Sequence, residues 1–215
     1  MNFSLFSCIL IVHIAGGTIG LVTGLIGMIS PKGKKLHRGA GKIFFLAMAL
    51  IFVSSIYMSV VKQNWFLFFI GFFSFYLAAT GYRILALKKL GHEKLKPALV
   101  DYVLSFSGML AGIGLLIISG LLIKKGMFAI VPALFGTLSF AFGYTDIRKF
   151  YIIKFTKYNW LAAHSGRMAG AFTATVTAFV VVNIQIQNSW ILWISPTLII
   201  IPIGQRQVKK LQSKS

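Results

Sequence analysis

Residues 3–29 read FSLFSCILIVHIAGGTIGLVTGLIGMI, an unbroken apolar stretch with no Lys, Arg, Asp or Glu. Crossing the hydrocarbon of a bilayer takes about 20 such residues in a helix, so this stretch is long enough to span. Working outward from it, six more runs of the same kind follow, at 43–61, 65–87, 98–123, 127–145, 159–184 and 189–205. The last is interrupted by Pro196 and Pro202, which a spanning helix tolerates when its neighbours satisfy the freed backbone groups. The expected fold is all-α: a polytopic membrane bundle of seven transmembrane helices, forming one integral membrane domain over residues 1–215.

Composition points the same way. Of 215 residues, 57% are hydrophobic and 12% charged, and the mean hydropathy is +0.84. A soluble domain carries about 25% charged residues, so this chain lacks the polar residues to cover a water-facing surface. The 22 Lys and Arg against 3 Asp and Glu leave a net charge of +19, but the excess base lies in short loops between apolar runs and not on one polar face. It is therefore read as a topology signal, with no nucleic-acid partner expected. The partner implied is the bilayer itself, through its anionic lipids.

The distribution of base sets the orientation. Lys32, Lys34, Lys35, Arg38 and Lys42 fall in the first loop, Arg83, Lys88, Lys89, Lys94 and Lys96 in the third, Arg148, Lys149, Lys154 and Lys157 in the fifth, and Arg206, Lys209, Lys210 and Lys214 in the tail. The opposite side holds only Lys62, Lys124 and Lys125. Short basic loops stay in the cytoplasm, which predicts an external N-terminus, a cytoplasmic C-terminus and a bacterial inner-membrane location. The N-terminal segment MNFSLFS has no basic residue and the run behind it no Ala-x-Ala pattern, so it is expected to stay as a spanning helix and not to be cleaved as a signal peptide. One cysteine, Cys8, excludes an intrachain disulfide.

Few residues in the apolar runs can carry chemistry. In the first helix His13 leads a stripe of Gly16, Gly17, Gly20, Gly24 and Gly27, whose spacing suits a close helix–helix seam. About 1.5 Å of rise per residue sets His13 about 15 Å deep, near the bilayer centre, where an ionisable group is a functional candidate. In the fourth helix Asp101, Ser105, Gly108 and Gly112 share one face, which turns the carboxylate into the bundle. In the sixth, His164 and Arg167 stand three residues apart and adjoin on the helix surface. His164, Arg167, Asp101 and Arg83 all fall in the cytoplasmic half, with Tyr82, Tyr144 and Asp146 at similar depth. A buried arginine must be paired. The expected pairing is Arg167 with Asp101, and with Asp146 solvated the layer is one anion short. His164 and Arg83 would then leave room for an anionic or carbonyl-bearing ligand.

His37 and Arg38, in the first loop SPKGKKLHRGAGK at residues 30–42, reach the same face, whereas His92 beside Glu93 reads as an ordinary surface residue. The expected ligand-binding set is thus His13, His37, Arg38, Arg83, Asp101, His164 and Arg167. No zinc-type ligand spacing occurs, so no metal site is expected. Haem is the one cofactor considered. Its two axial ligands need equal depth, and His13 lies about 24 Å from the cytoplasmic end against about 7 Å for His164. Only His37 with His164 remains a feasible pair. His13 with Thr173, Thr175 and Thr177 offers polar steps for a proton or small-solute path.

Three stretches together carry a resemblance: HIAGGTIGLVTGLIGM from His13, KKLHRGAGKIFFLAMAL through His37 and Arg38, and WLAAHSGRMAGAFTATVTAFVVVN through His164, Arg167 and Asn183. In this order they resemble a bacterial family of multi-helix membrane proteins, domain-of-unknown-function family 2306. The resemblance implies His13, His37, Arg38, His164, Arg167 and Asn183 as positions of interest and implies no substrate. The sequence thus leads to an inner-membrane protein with a His/Arg/Asp site that binds a small anionic or lipid-like ligand, or moves protons or a small solute. A membrane redox protein binding haem or quinone is the alternative.

Overall fold

The computed structural model describes residues 4–88, 90, 96–152 and 157–212. Seven long helices follow one another: α1 Leu5–Ile29, α2 Lys35–Val61, α3 Trp65–Leu87, α4 Leu99–Leu122, α5 Ile130–Ile152, α6 Lys157–Asn183 and α7 Trp190–Gln212. Among the described residues there is no strand. His92, together with Glu93, lies outside the described residues.

Helix starts follow local chemistry. The Ser4 hydroxyl accepts from the Ser7 amide at 3.2 Å, and the Asn64 side chain accepts from the Leu67 amide at 3.1 Å, each satisfying one of the orphan donors of a helix N-terminus. Between α4 and α5 the chain turns through Gly126 at φ 111°, a left-handed conformation that a side chain would strain.

Helix α3 is the hub. It packs against α2, α4 and α6, and its lower half is buried almost continuously from Tyr76 to Gly81. Phe44 and Met48 from α2, Leu115 from α4 and Phe172 from α6 complete the core around Phe73, Tyr76 and Leu77. Large apolar side chains such as Ile14, Val22, Leu46, Val53, Leu110 and Val182 point outward instead and are exposed, the inverse of a soluble protein and the surface that lipid tails solvate.

Helices α1 to α6 are each long and apolar enough to cross a membrane. The seventh departs from the expected span at 189–205. Helix α7 continues to Gln212, contains Pro196 and Pro202, and takes in Gln205, Arg206 and Lys209, so its polar last third lowers its apolarity below that of the other six. Among its described residues the chain is therefore all-α, with six helices long and apolar enough to span a membrane and a seventh packed on α6.

Helix seams are glycine-lined. On α1 only Gly16, Gly20 and Gly24 are buried, facing Leu50, Ile51 and Phe172, while Gly17 and Gly27 have open space where a side chain would start. The expected single stripe is thus narrower than the sequence implied, because i, i+4 spacing keeps three glycines on the seam and turns the others away. Helices α4 and α5 approach more closely still: a Cβ on Gly112 would stand 2.6 Å from the Phe140 amide nitrogen, and one on Gly143 would stand 2.6 Å from the Ser105 carbonyl oxygen.

Candidate functional site

Four interactions gather the chemistry-bearing residues at one end of the bundle. His37 in the first turn of α2 meets Gly27 near the end of α1, and Arg83 near the end of α3 meets Asp101 in the first turn of α4. Early in α6, His164 meets Gly81 of α3 and Arg167 meets Asp146 of α5. The ends of α1, α3 and α5 and the beginnings of α2, α4 and α6 therefore lie together. This is also the end that carries most of the basic loops, and it is called the basic end below.

The ion pairs differ from the expected ones. One edge of the Arg83 guanidinium binds both oxygens of Asp101, Nε to Oδ1 at 2.7 Å and Nη2 to Oδ2 at 3.1 Å. The Asp101 carboxylate also accepts from the Ala98 amide at 2.7 Å, so it is 3% exposed yet fully engaged. Arg167 pairs with Asp146, not with Asp101, at 2.8 and 2.9 Å. Asp146 is not solvated in a loop: α5 runs past it to Ile152, and its Oδ2 also accepts the Tyr76 hydroxyl at 2.5 Å. The Arg167 guanidinium lies over the Tyr76 and Phe142 rings at 4.9 and 4.5 Å, and Thr80 and the Phe142 carbonyl accept from it.

Two arginines thus meet two carboxylates, and the expected shortage of one anion is overturned. The reason is geometric: Arg83 and Asp101 are joined by the α3–α4 connection at matching heights, which leaves Asp146 for the buried Arg167. A bidentate or doubly accepted guanidinium in such a layer is a strong, oriented interaction, and it balances the charge of both arginines within the layer.

The histidines separate into two places. His13 sits in the middle of α1, where its Nδ1 lies 2.9 Å from the Ser54 hydroxyl. That hydroxyl also lies 2.7 Å from the Leu50 carbonyl and 3.0 Å from that of Ile51. His37 and His164 stand together at the basic end, ring centres 6.4 Å apart and planes at 82°. Each Nδ1 contacts a carbonyl, Gly27 for His37 at 3.0 Å and Gly81 for His164 at 2.8 Å. Arg38 is exposed on the same turn of α2. Lys32 reaches back to the Gly27 and Met28 carbonyls at 2.9 and 2.5 Å, and its partial burial holds the ammonium pKa below the usual lysine value.

Other residues fall away from the layer or join it. Tyr82 stacks on Phe45 at 4.7 Å, and exposed Tyr144 lies against Arg148. Asn183, at the end of α6, donates to the Phe179 carbonyl. The residue that sequence reasoning missed is Tyr76. It shares a face of α3 with Thr80 and Arg83 at steps of four and three, a signal present in the sequence but hidden within an aromatic-rich run.

A cavity of about 1650 Å³ runs between α1, α2, α3, α5, α6 and α7. His13 and Arg167 both line it, as do Thr173, Thr175 and Thr177. Lys62 and Asn64 stand at one end, and Lys149, Gln205 and Lys209 at the basic end, while no Asp or Glu among the described residues lines it. The Thr177 hydroxyl is buried there without a hydrogen-bond partner.

No curated protein and no solved structure matches the chain. A family model does, across residues 10–125, a stretch that holds His13, His37, Arg38, Arg83 and Asp101 and stops before His164 and Arg167. On that match, just over half of its length, the chain belongs to the predicted membrane protein family DUF2306.

Proposed function

We propose that this membrane protein takes an anionic, lipid-like molecule into the cavity between its helices. The observation that carries the reading is the wall chemistry of that cavity. At about 1650 Å³ it exceeds the roughly 300–1,000 Å³ of a drug-sized pocket and matches a long amphiphile better than a compact metabolite. Its middle is apolar, and its basic end offers Lys209 and Lys149, the latter also 3.8 Å from the Asp146 carboxylate that Arg167 holds. An acidic headgroup is favoured there by charge, and an acyl or isoprenoid chain by the apolar walls. The unpartnered Thr177 hydroxyl supports a polar group or water deeper in. In this reading the ligand is held by lysines, because both arginines are committed to Asp101 and Asp146.

The reading includes the membrane setting inferred from charge: α7 crosses as a seventh span, the basic end faces the cytoplasm of a bacterial inner membrane, and the N-terminus lies outside. A second reading is favoured by His13, Thr173 and Thr175 sharing the cavity wall, since such groups at intervals support passage of protons or a small solute.

Native mass spectrometry of the detergent-purified protein after exposure to vesicles of phosphatidylglycerol or phosphatidylcholine tests the first reading. Retention of one phosphatidylglycerol per chain, reduced at least tenfold in Lys149→Glu/Lys209→Glu, is the expected result. Equal retention of both lipids in both proteins overturns it. Proton flux into proteoliposomes that His13→Ala abolishes would favour the second reading.

A further inference from the structure

We infer that the cavity is a passage through which an acidic phospholipid carries its headgroup from one leaflet to the other. The inference rests on the occupant proposed above and adds a movement to it.

Height comes first. On α6 the cavity wall extends from Ala162 to Asn183, about 32 Å at about 1.5 Å of rise per residue, which matches the roughly 30 Å hydrocarbon layer of a bilayer. Lys209 and Lys149 stand at the basic end, and Lys62 with Asn64 at the opposite end. The Lys62 ammonium lies 4.8 Å over the ring of Phe6, itself part of the wall. Storage of an acidic amphiphile in one orientation needs a cation at one pole. Here each pole has one, and no Asp or Glu among the described residues lines the wall between them. Asp146 stands behind that wall, held by Arg167 and 3.8 Å from Lys149.

Openings come second. Residues that line the cavity and are also exposed mark where it opens sideways to lipid. In the half away from the basic end these are Leu10 and Ile14 of α1 with Ala178 and Val182 of α6. In the basic half they are Ala141 and Thr145 of α5 with Gln205 and Lys209 of α7. Packing accounts for both gaps. Helix α1 touches α6 in its second half, where Gly24 leaves no room for a Cβ beside the Phe172 ring and a Cβ on Gly20 would lie 3.6 Å from the Thr175 methyl. One on Gly17 would meet nothing within 4 Å. Helix α5 packs chiefly on α4, and α7 on α6, which leaves the α5–α7 side open.

The stretch between the openings suits both parts of a lipid. Met48, Phe73, Leu77 and Phe135 give acyl chains an apolar wall. Polar groups recur along the same wall for the headgroup: Thr173 and Thr177 on α6, His13 on α1, and Ser55 and Ser59 on α2. Each of the two hydroxyl pairs is spaced four residues apart, about 6 Å along its helix. Exchange down a lipid gradient through such a passage requires no co-reactant.

The test is a leaflet assay on the full-length protein in phosphatidylcholine vesicles that carry a trace of tail-labelled fluorescent phosphatidylglycerol in both leaflets. External dithionite bleaches the outer leaflet alone, so protein-free vesicles keep their inner-leaflet signal. With wild-type protein nearly all of the signal should be lost. Gly17→Trp, which fills the α1–α6 opening where no neighbour stands in the way, should slow that loss at least tenfold. Gly27→Trp has the same open space but lies outside the wall, and should match wild type. Unfolding temperatures in detergent establish that each variant is folded, and Ala178→Trp on the facing helix supplies the same plug if Gly17→Trp is not. Inner-leaflet signal that survives with wild-type protein, while native mass spectrometry still finds phosphatidylglycerol retained, overturns the passage and leaves the binding reading standing. Loss of retention as well overturns both. Equal rates in wild type and a folded plugged variant put the movement outside the cavity and also overturn the inference.

Discussion

The Arg167 guanidinium is held by Asp146 on one edge and by the Tyr76 and Phe142 rings on its faces, and is only 6% exposed. Removing one member of such a buried pair leaves the other charge unsolvated, at a cost of about 3–5 kcal/mol. Asp146→Ala is therefore expected to destabilise by about that amount, read as a lower unfolding temperature in detergent, and Arg167→Ala/Asp146→Ala to recover part of the loss. Pairing can be tested directly by double-mutant cycles: Arg83→Ala and Asp101→Ala should couple, whereas Arg167→Ala and Asp101→Ala should add. Coupling in the second cycle would contradict the pairing described above. Tyr76→Phe removes a hydroxyl donor to a shared carboxylate, and about 1–2 kcal/mol is the expected loss.

At the scale of elements, the α4–α5 seam is set by glycine. With Gly112, Gly136 and Gly143 bringing backbone against backbone, a larger residue has nowhere to go. Gly112→Leu should separate the pair and cost at least about 1–3 kcal/mol by overpacking, whereas Gly17→Leu on the open side of α1 should leave the unfolding temperature within experimental scatter. Helix α7, interrupted by Pro196 and Pro202, extends beyond the expected run to Gln212. Its N-terminal part contributes Trp193 to the aromatic cluster with Phe66 and Phe128, while its C-terminal part brings Gln205 and Lys209 to the cavity mouth.

At the scale of the whole molecule, the proposed orientation and ligand preference rest on where charge lies. Fusing a fluorescent protein after Ser215 should give a fluorescent product and fusing alkaline phosphatase there an inactive one. Insertion at the Lys62–Asn64 turn should reverse both outcomes. An active phosphatase at Ser215 would mean that α7 does not cross or that the bundle is inverted. The paired arginines hold the bundle, Lys149 shares the Asp146 carboxylate, and Lys209 stands at the cavity mouth, so Lys209→Glu should keep the unfolding temperature while weakening acidic-lipid retention.

Apolar length and the scarcity of acid were enough to read the membrane class and six helices long and apolar enough to span, because helix rise is constant and charge is costly in lipid. Equal depth also singled out His37 with His164, and the inward turn of Asp101 followed from its small-residue face. Which partner each residue takes was not legible. Depth fixes a height in the membrane but not an azimuth around the bundle, and only the packing of α3 against α4 and α6 decides that Arg83 takes Asp101 and that Arg167 takes Asp146. The same packing placed Tyr76 beneath Arg167 and left the lysine-lined cavity open, since contacts between helices far apart in sequence depend on rotations that no single helix records.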